Sequence, residues 1–157
     1  MKHILVSEHM ILHNQIFDLI LVCFRADANQ IEYIHAAVQR LMDVSCLKYV
    51  AKDDTHEDYI TVVGKSDGCY SFVGRQGGEQ FLNLAPNDRE TGCFRLYTIV
   101  HEFTHALGFF HMQSATERDE YVKIVFDKIQ QGTENNFNIY GAAVINNFGV
   151  EYDYGKE

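Results

Sequence analysis

Two histidines four residues apart flank a glutamate in His101-Glu102-Phe103-Thr104-His105, and a third follows in Ala106-Leu107-Gly108-Phe109-Phe110-His111. If residues 94 to 107 are helical, His101 and His105 sit one turn apart on one face, so two imidazole nitrogens can reach a single ion at roughly 2.0 to 2.1 Å. His111 cannot join them from a continuous helix, because ten residues at about 1.5 Å each carry it roughly 15 Å along the axis. A turn is needed, and Gly108 stands where it is needed, since glycine enters the left-handed conformation that ends helices without a Cβ penalty. Three neutral nitrogen donors leave a fourth position open, the arrangement of a catalytic zinc site; structural zinc sites are closed and rich in cysteine. Glu102, between the first two ligands, is placed to act as a general base. A bare HExxH also arises on exposed helices by chance, but the added Gly108 and His111 make five fixed positions, expected to coincide about once in 10^5 chains of this length.

Such a set needs a helix with one side against a core. Leu96, Ile99, Val100, Phe103 and Leu107 supply it, falling on one stripe at 100° per residue while His101, Glu102 and His105 occupy the opposite arc. Upstream, Asp27 followed by Gln30 reads as an N-cap with a reciprocal partner, opening a helix over residues 28 to 44 whose buried stripe is Ile31, Ile34, Val38, Leu41 and Met42. Strand-like runs follow at 47–50, 59–63, 69–73 and 80–84, separated by polar or glycine-bearing turns, and the acidic stretch 52–58 reads as a solvated connection. A helix, successive strands and a second helix predict an α+β domain, with a twisted sheet sandwiched by the two helices.

The 157 residues suffice for one domain with a sizeable core. A net charge of -9 without a basic run argues against nucleic acid or an anionic membrane as partner, and 46% hydrophobic residues with one proline exclude a disordered chain. Residues 1–24 read as an irregular leader, either a poor signal segment or a first strand: the apolar run 16–24 is too short to span a bilayer and is preceded by polar residues. His9 and His13 repeat the i, i+4 spacing but lack a third donor, so they read as incidental, as do His3, His35 and His56. Gly74, Gly77 and Gly78 lack the Gly-Lys-Ser/Thr of a phosphate loop and read as turn residues. Cysteines 23, 46, 69 and 93 allow three full pairings, among which spacing does not choose.

The pattern His101 to His111 resembles the signature of the metzincin metalloproteases. Gly108-Phe109-Phe110-His111-Met112-Gln113-Ser114, followed by Glu117-Arg118-Asp119-Glu120-Tyr121-Val122-Lys123-Ile124, is similar to the astacin family, whose pattern there is close to GFxHEQSRxDRDxYVxI, and the resemblance runs from about Arg25 to Gly155. It implies a metzincin-type upper subdomain over residues 25–157, a twisted, mostly parallel sheet with two long helices, and a segment near 68–78 leading into an edge strand beside the cleft. It also implies a Cys69–Cys93 disulfide and a far downstream partner for Cys46. Two departures stand out: Met112 replaces a glutamate common in the family, and the Met-turn and lower subdomain are expected to be largely missing, together with a tyrosine near the metal.

The activity so implied is zinc-dependent endoproteolysis of protein or peptide substrates, with one zinc on His101, His105 and His111, Glu102 as catalytic base and an extracellular setting. The alternative is a zinc-binding remnant of the family with weak or no catalysis.

Overall fold

The computed structural model describes the backbone of residues 18–23 and, in full, residues 27–154. The readings placed on residues 1–17, His3, His9 and His13 among them, and on the Cys23 side chain lie outside the described residues. Two compact units divide the chain, Met1–Phe109 and Phe110–Glu157.

Among its described residues the first unit holds a five-stranded sheet and two α-helices. Strand β1 (Asp18–Cys23) falls within the apolar run of the leader, and helix α1 (Ala28–Asp43) follows it. Asp27 caps α1: its carboxylate accepts the Gln30 backbone N–H at 2.8 Å, and the Gln30 side chain accepts the Asp27 N–H at 3.2 Å. Two otherwise orphaned donors are thereby met, which sets where the helix starts. Strands β2 (Lys48–Ala51), β3 (Tyr59–Val63), β4 (Cys69–Ser71) and β5 (Glu79–Leu84) come next, then helix α2 (Leu96–Ala106). The strand order is β2-β1-β3-β5-β4, and all pairings are parallel except β4 with β5. The mostly parallel α+β sheet expected of the family is therefore the one observed.

The helices do not sandwich the sheet. Ile60 and Val62 of β3 and Leu82 and Leu84 of β5 point to one face, because alternate strand residues share a face and Val62 pairs with Leu82. That face forms one cluster with Ile34, Ala37 and Val38 of α1 and with Ile99, Phe103 and Ala106 of α2. Both helices thus cover the same side, and their mutual packing replaces a third layer. On the other side, Asn83 stays fully buried because Lys65 N–H donates to its carbonyl while its amide donates to the Lys65 and Gly68 carbonyls and to Asp67.

Helix α2 starts two residues later than the sequence predicts. Arg95 is extended (φ -82°, ψ 135°), and residues Gly92–Phe94 form a separate 3-10 turn that buries Cys93 and Phe94. Strand β4 also ends early, at Ser71, after which the chain turns through Gly74, Gly77 and Gly78, all with positive φ. In the acidic connection, Asp58 is not merely solvated: it pairs with Arg75 and accepts the Gly78 N–H.

The second unit has 3-10 turns (Met112–Ser114, Arg118–Glu120, Phe126–Lys128, Glu134–Phe137) and no longer helix or strand among its described residues. Buried Arg118 gathers it, donating to the Gln113 carbonyl at 2.7 Å, to the Phe137 carbonyl and to Asp119. Tyr121 and Tyr152 stack with centroids 4.7 Å apart.

Candidate metal centre

Helix α2 meets the core through Ile99, Phe103 and Ala106, which are buried, with Leu96, Val100 and Leu107 packed at the margin. Phe103 is fully buried and meets the Tyr49 ring edge-on at 5.8 Å. On the opposite side of the helix two of the three polar residues are also buried: Glu102 is 5% exposed and His105 8%.

The two helical histidines converge. Their Nε2 atoms lie 3.0 Å apart, near the roughly 3.3 Å between two nitrogens held tetrahedrally at 2.0 to 2.1 Å from one zinc. His105 Nδ1 is 2.7 Å from the Phe109 carbonyl. A carbonyl only accepts, so Nδ1 carries the proton and Nε2 presents a lone pair, the tautomer a metal ligand requires. After α2 the chain turns at Gly108, with φ +104° and its N–H on the His105 carbonyl at 2.8 Å. Past that turn stands His111, and one ring nitrogen from each of His101, His105 and His111 lies within 4.8 Å of the other two. Three imidazoles gathered so closely, with no thiolate in the group, fit a zinc ion, whose catalytic sites combine three protein ligands with an open fourth position.

Burial raises the Glu102 carboxyl from 4.5 to about 7, because loss of water penalises the charged form. Among the other residues singled out, His35 is exposed, and His56 sits against Asp53 at 2.8 Å; neither joins the three-histidine group. Cys69 and Cys93 form a disulfide that ties β4 to the 3-10 turn entering α2, and Cys46 is a free, exposed thiol. Sequence reasoning missed the Phe109 carbonyl as the partner that orients His105. Every residue carries a carbonyl, so no residue type could have marked it.

An α+β domain whose long helix presents a histidine pair and a glutamate, with a third histidine past a glycine turn, is the layout of a metzincin-type zinc site. The model of the Astacin peptidase family matches residues 21–156. The chain belongs to the astacin family, whose relatives are zinc metalloproteinases. It is 40% identical over 113 residues to zinc metalloproteinase nas-4 of Caenorhabditis elegans, covering 71% of this chain and 34% of that protein. To meprin A subunit beta of Mus musculus it is 49% identical over 98 residues, covering 62% of this chain and 13% of the other. Among solved structures it matches high choriolytic enzyme 1, a hatching enzyme zinc-protease from Oryzias latipes, with a TM-score of 0.77 and 34% identity over 87% of this chain and 64% of that one. The chain spans between a fifth and about a third of the nematode relatives' length.

Proposed function

We propose that the chain is a zinc-dependent endopeptidase that hydrolyses peptide bonds in proteins, with zinc on His101, His105 and His111 and Glu102 as the catalytic base. The observation that carries this reading is the convergence of the three imidazoles within 4.8 Å, on and just after the helix that also holds Glu102. When bound, zinc supplies Lewis acidity, polarising a substrate carbonyl and lowering the pKa of water at the site. Glu102 takes the proton of the attacking water and returns it to the leaving amine. A neighbouring cation favours the carboxylate form, so with zinc in place Glu102 is the group ready to accept that proton.

Among the described residues, strand β4 lies at the edge of the sheet, with no strand on its outer side. An extended peptide can add there as a further strand, which suits a protein substrate. Protein or peptide substrates are thus the partners of this reading, and the Cys69–Cys93 disulfide supports an extracellular setting. No helix among the described residues is long and apolar enough to cross a membrane.

The test compares cleavage of a quenched-fluorescence peptide library by the wild-type chain and by Glu102→Ala, each with its zinc content measured. Loss of about 10² to 10⁴-fold or more at unchanged zinc content is expected. Equal rates overturn the assignment of Glu102, and stoichiometric zinc with no wild-type turnover establishes the non-catalytic remnant instead.

A further inference from the structure

Gln80 of β5 is 6% exposed and sits on the sheet face that the two helices cover, opposite Ile60 and two residues from Leu82. A buried amide left unpaired costs roughly 1 to 3 kcal/mol, so its partners show what it is kept for. Those partners all belong to the loop after β4. The Gln80 amide donates to the Gly74 carbonyl at 3.2 Å, and its carbonyl accepts the Gln76 N–H at 3.0 Å. From the solvent side, the Gln76 amide donates to the Val73 and Gly74 carbonyls at 3.0 and 3.1 Å. Gripped on both sides, Gly74 takes φ +74° and directs its own N–H onto the His105 carbonyl at 2.9 Å.

That carbonyl is one of the last four of α2, which have no partner within the helix. It receives two donors, Gly74 and Gly108, so the final turn of α2 and the turn after it are fixed from the sheet side. The two glycines approach each other, and a Cβ on Gly74 would meet the Gly108 Cα at an ordinary contact distance of 3.7 Å, so it is the positive φ of Gly74 that a side chain would strain.

We propose that Gln80 is a positioning residue for the metal centre: through Gly74 it fixes the backbone of His105 and the Gly108 turn that leads to His111. The inference rests on the zinc reading above. Partners behind a metal ligand commonly change affinity by about 10 to 100-fold, and Gln80 acts one bond further out, so the lower end applies.

The experiment measures zinc dissociation constants by competition with a chromophoric chelator, together with hydrogen exchange at the Gly74 amide. Gln80→Met keeps the volume and removes both hydrogen bonds; Ile60→Val, its apolar neighbour across the ladder, serves as a control for general destabilisation. Gln80→Met is expected to weaken zinc binding about 10-fold and to speed Gly74 exchange, while Ile60→Val lowers the melting temperature and leaves zinc affinity within about twofold. Gln76→Ala, at an exposed position that folding tolerates, removes only the outer grip and is expected to weaken binding a few-fold. Wild-type affinity in a folded Gln80→Met overturns the proposal, as does an equal loss in Ile60→Val; if Gln80→Met does not fold, wild-type affinity in Gln76→Ala overturns it. A wild-type chain that takes up no zinc overturns the metal-centre reading itself, and is told apart because the affinities then have no wild-type value to match.

Discussion

Two single side chains carry measurable consequences of burial. The Tyr49 hydroxyl is buried with no hydrogen-bond partner among the described residues, and burial pushes its pKa well up. Its ring is useful, packing edge-on against Phe103, while its oxygen is a cost of roughly 1 to 3 kcal/mol. Tyr49→Phe is therefore expected to leave stability unchanged or to raise it by about 1 kcal/mol in urea denaturation; a loss of that size would show a partner for the hydroxyl. Glu102 gives a pH dependence. Its carboxyl titrates at 4.5 when exposed and at about 7 in the fold, so between those values the folded state holds a proton that the unfolded state has released. Stability thus falls as pH rises from about 4.5 to 7 and levels off above. The prediction applies to chelated protein, because a bound cation would favour the carboxylate. Comparing unfolding midpoints at about pH 5 and pH 7.5, the wild type should lose more than Glu102→Gln; equal losses contradict it.

At the level of elements, the approach to α2 is fixed from two directions. The Cys69–Cys93 bond closes a loop with a sequence separation of 24, which by loop-closure entropy stabilises the fold by about 3 kcal/mol. Cys93→Ser is expected to lower stability by roughly that amount and to expose the 3-10 turn to proteolysis. Gly92 sits in the same turn with φ +49°, and a Cβ there would collide with the Asn87 Oδ1 that accepts the Cys93 N–H. Gly92→Ala must displace Asn87 as well as adopt a left-handed backbone, at a cost of about 1 to 3 kcal/mol. Its melting temperature, read beside that of Gly77→Ala, which meets no atom within 4 Å, separates the collision from the backbone strain they share.

For the whole molecule, the ion itself is the largest lever. A ligand at about 100 times its dissociation constant stabilises the folded state by about 2.7 kcal/mol, which for a domain of this size is roughly 5 to 10 °C of melting temperature. Chelation should lower the transition by that much, reversibly on adding zinc; a transition indifferent to chelator contradicts metal binding. Much of this arrangement was legible in the residues. Asp27 and Gln30 mark the start of α1 because capping is local, residues 59–63 mark β3 by their β-branched and aromatic run, and His101 with His105 share a face by helix period alone. What was not legible is tertiary. Periodicity says which side of a helix is buried but not which face of a sheet receives it, so the expected sandwich became a two-layer fold. The helix expected over 94–107 starts later because Phe94 N–H bonds to the Thr91 carbonyl in a separate 3-10 turn and Arg95 is extended, a local break that apolar periodicity does not mark. The roles of Asp58 and Gln80 have no sequence signal, because their partners Arg75, Gln76 and Gly78 reach them only through the fold of the loop between β4 and β5.

The strand order has a kinetic side. Strand β1 lies between β2 and β3, both parallel to it and both later in the chain, so it leaves the ribosome without a hairpin partner and must wait for residues 48–63 to be made. During that interval an apolar segment with two open edges is exposed to other chains, a recognised route to aggregation.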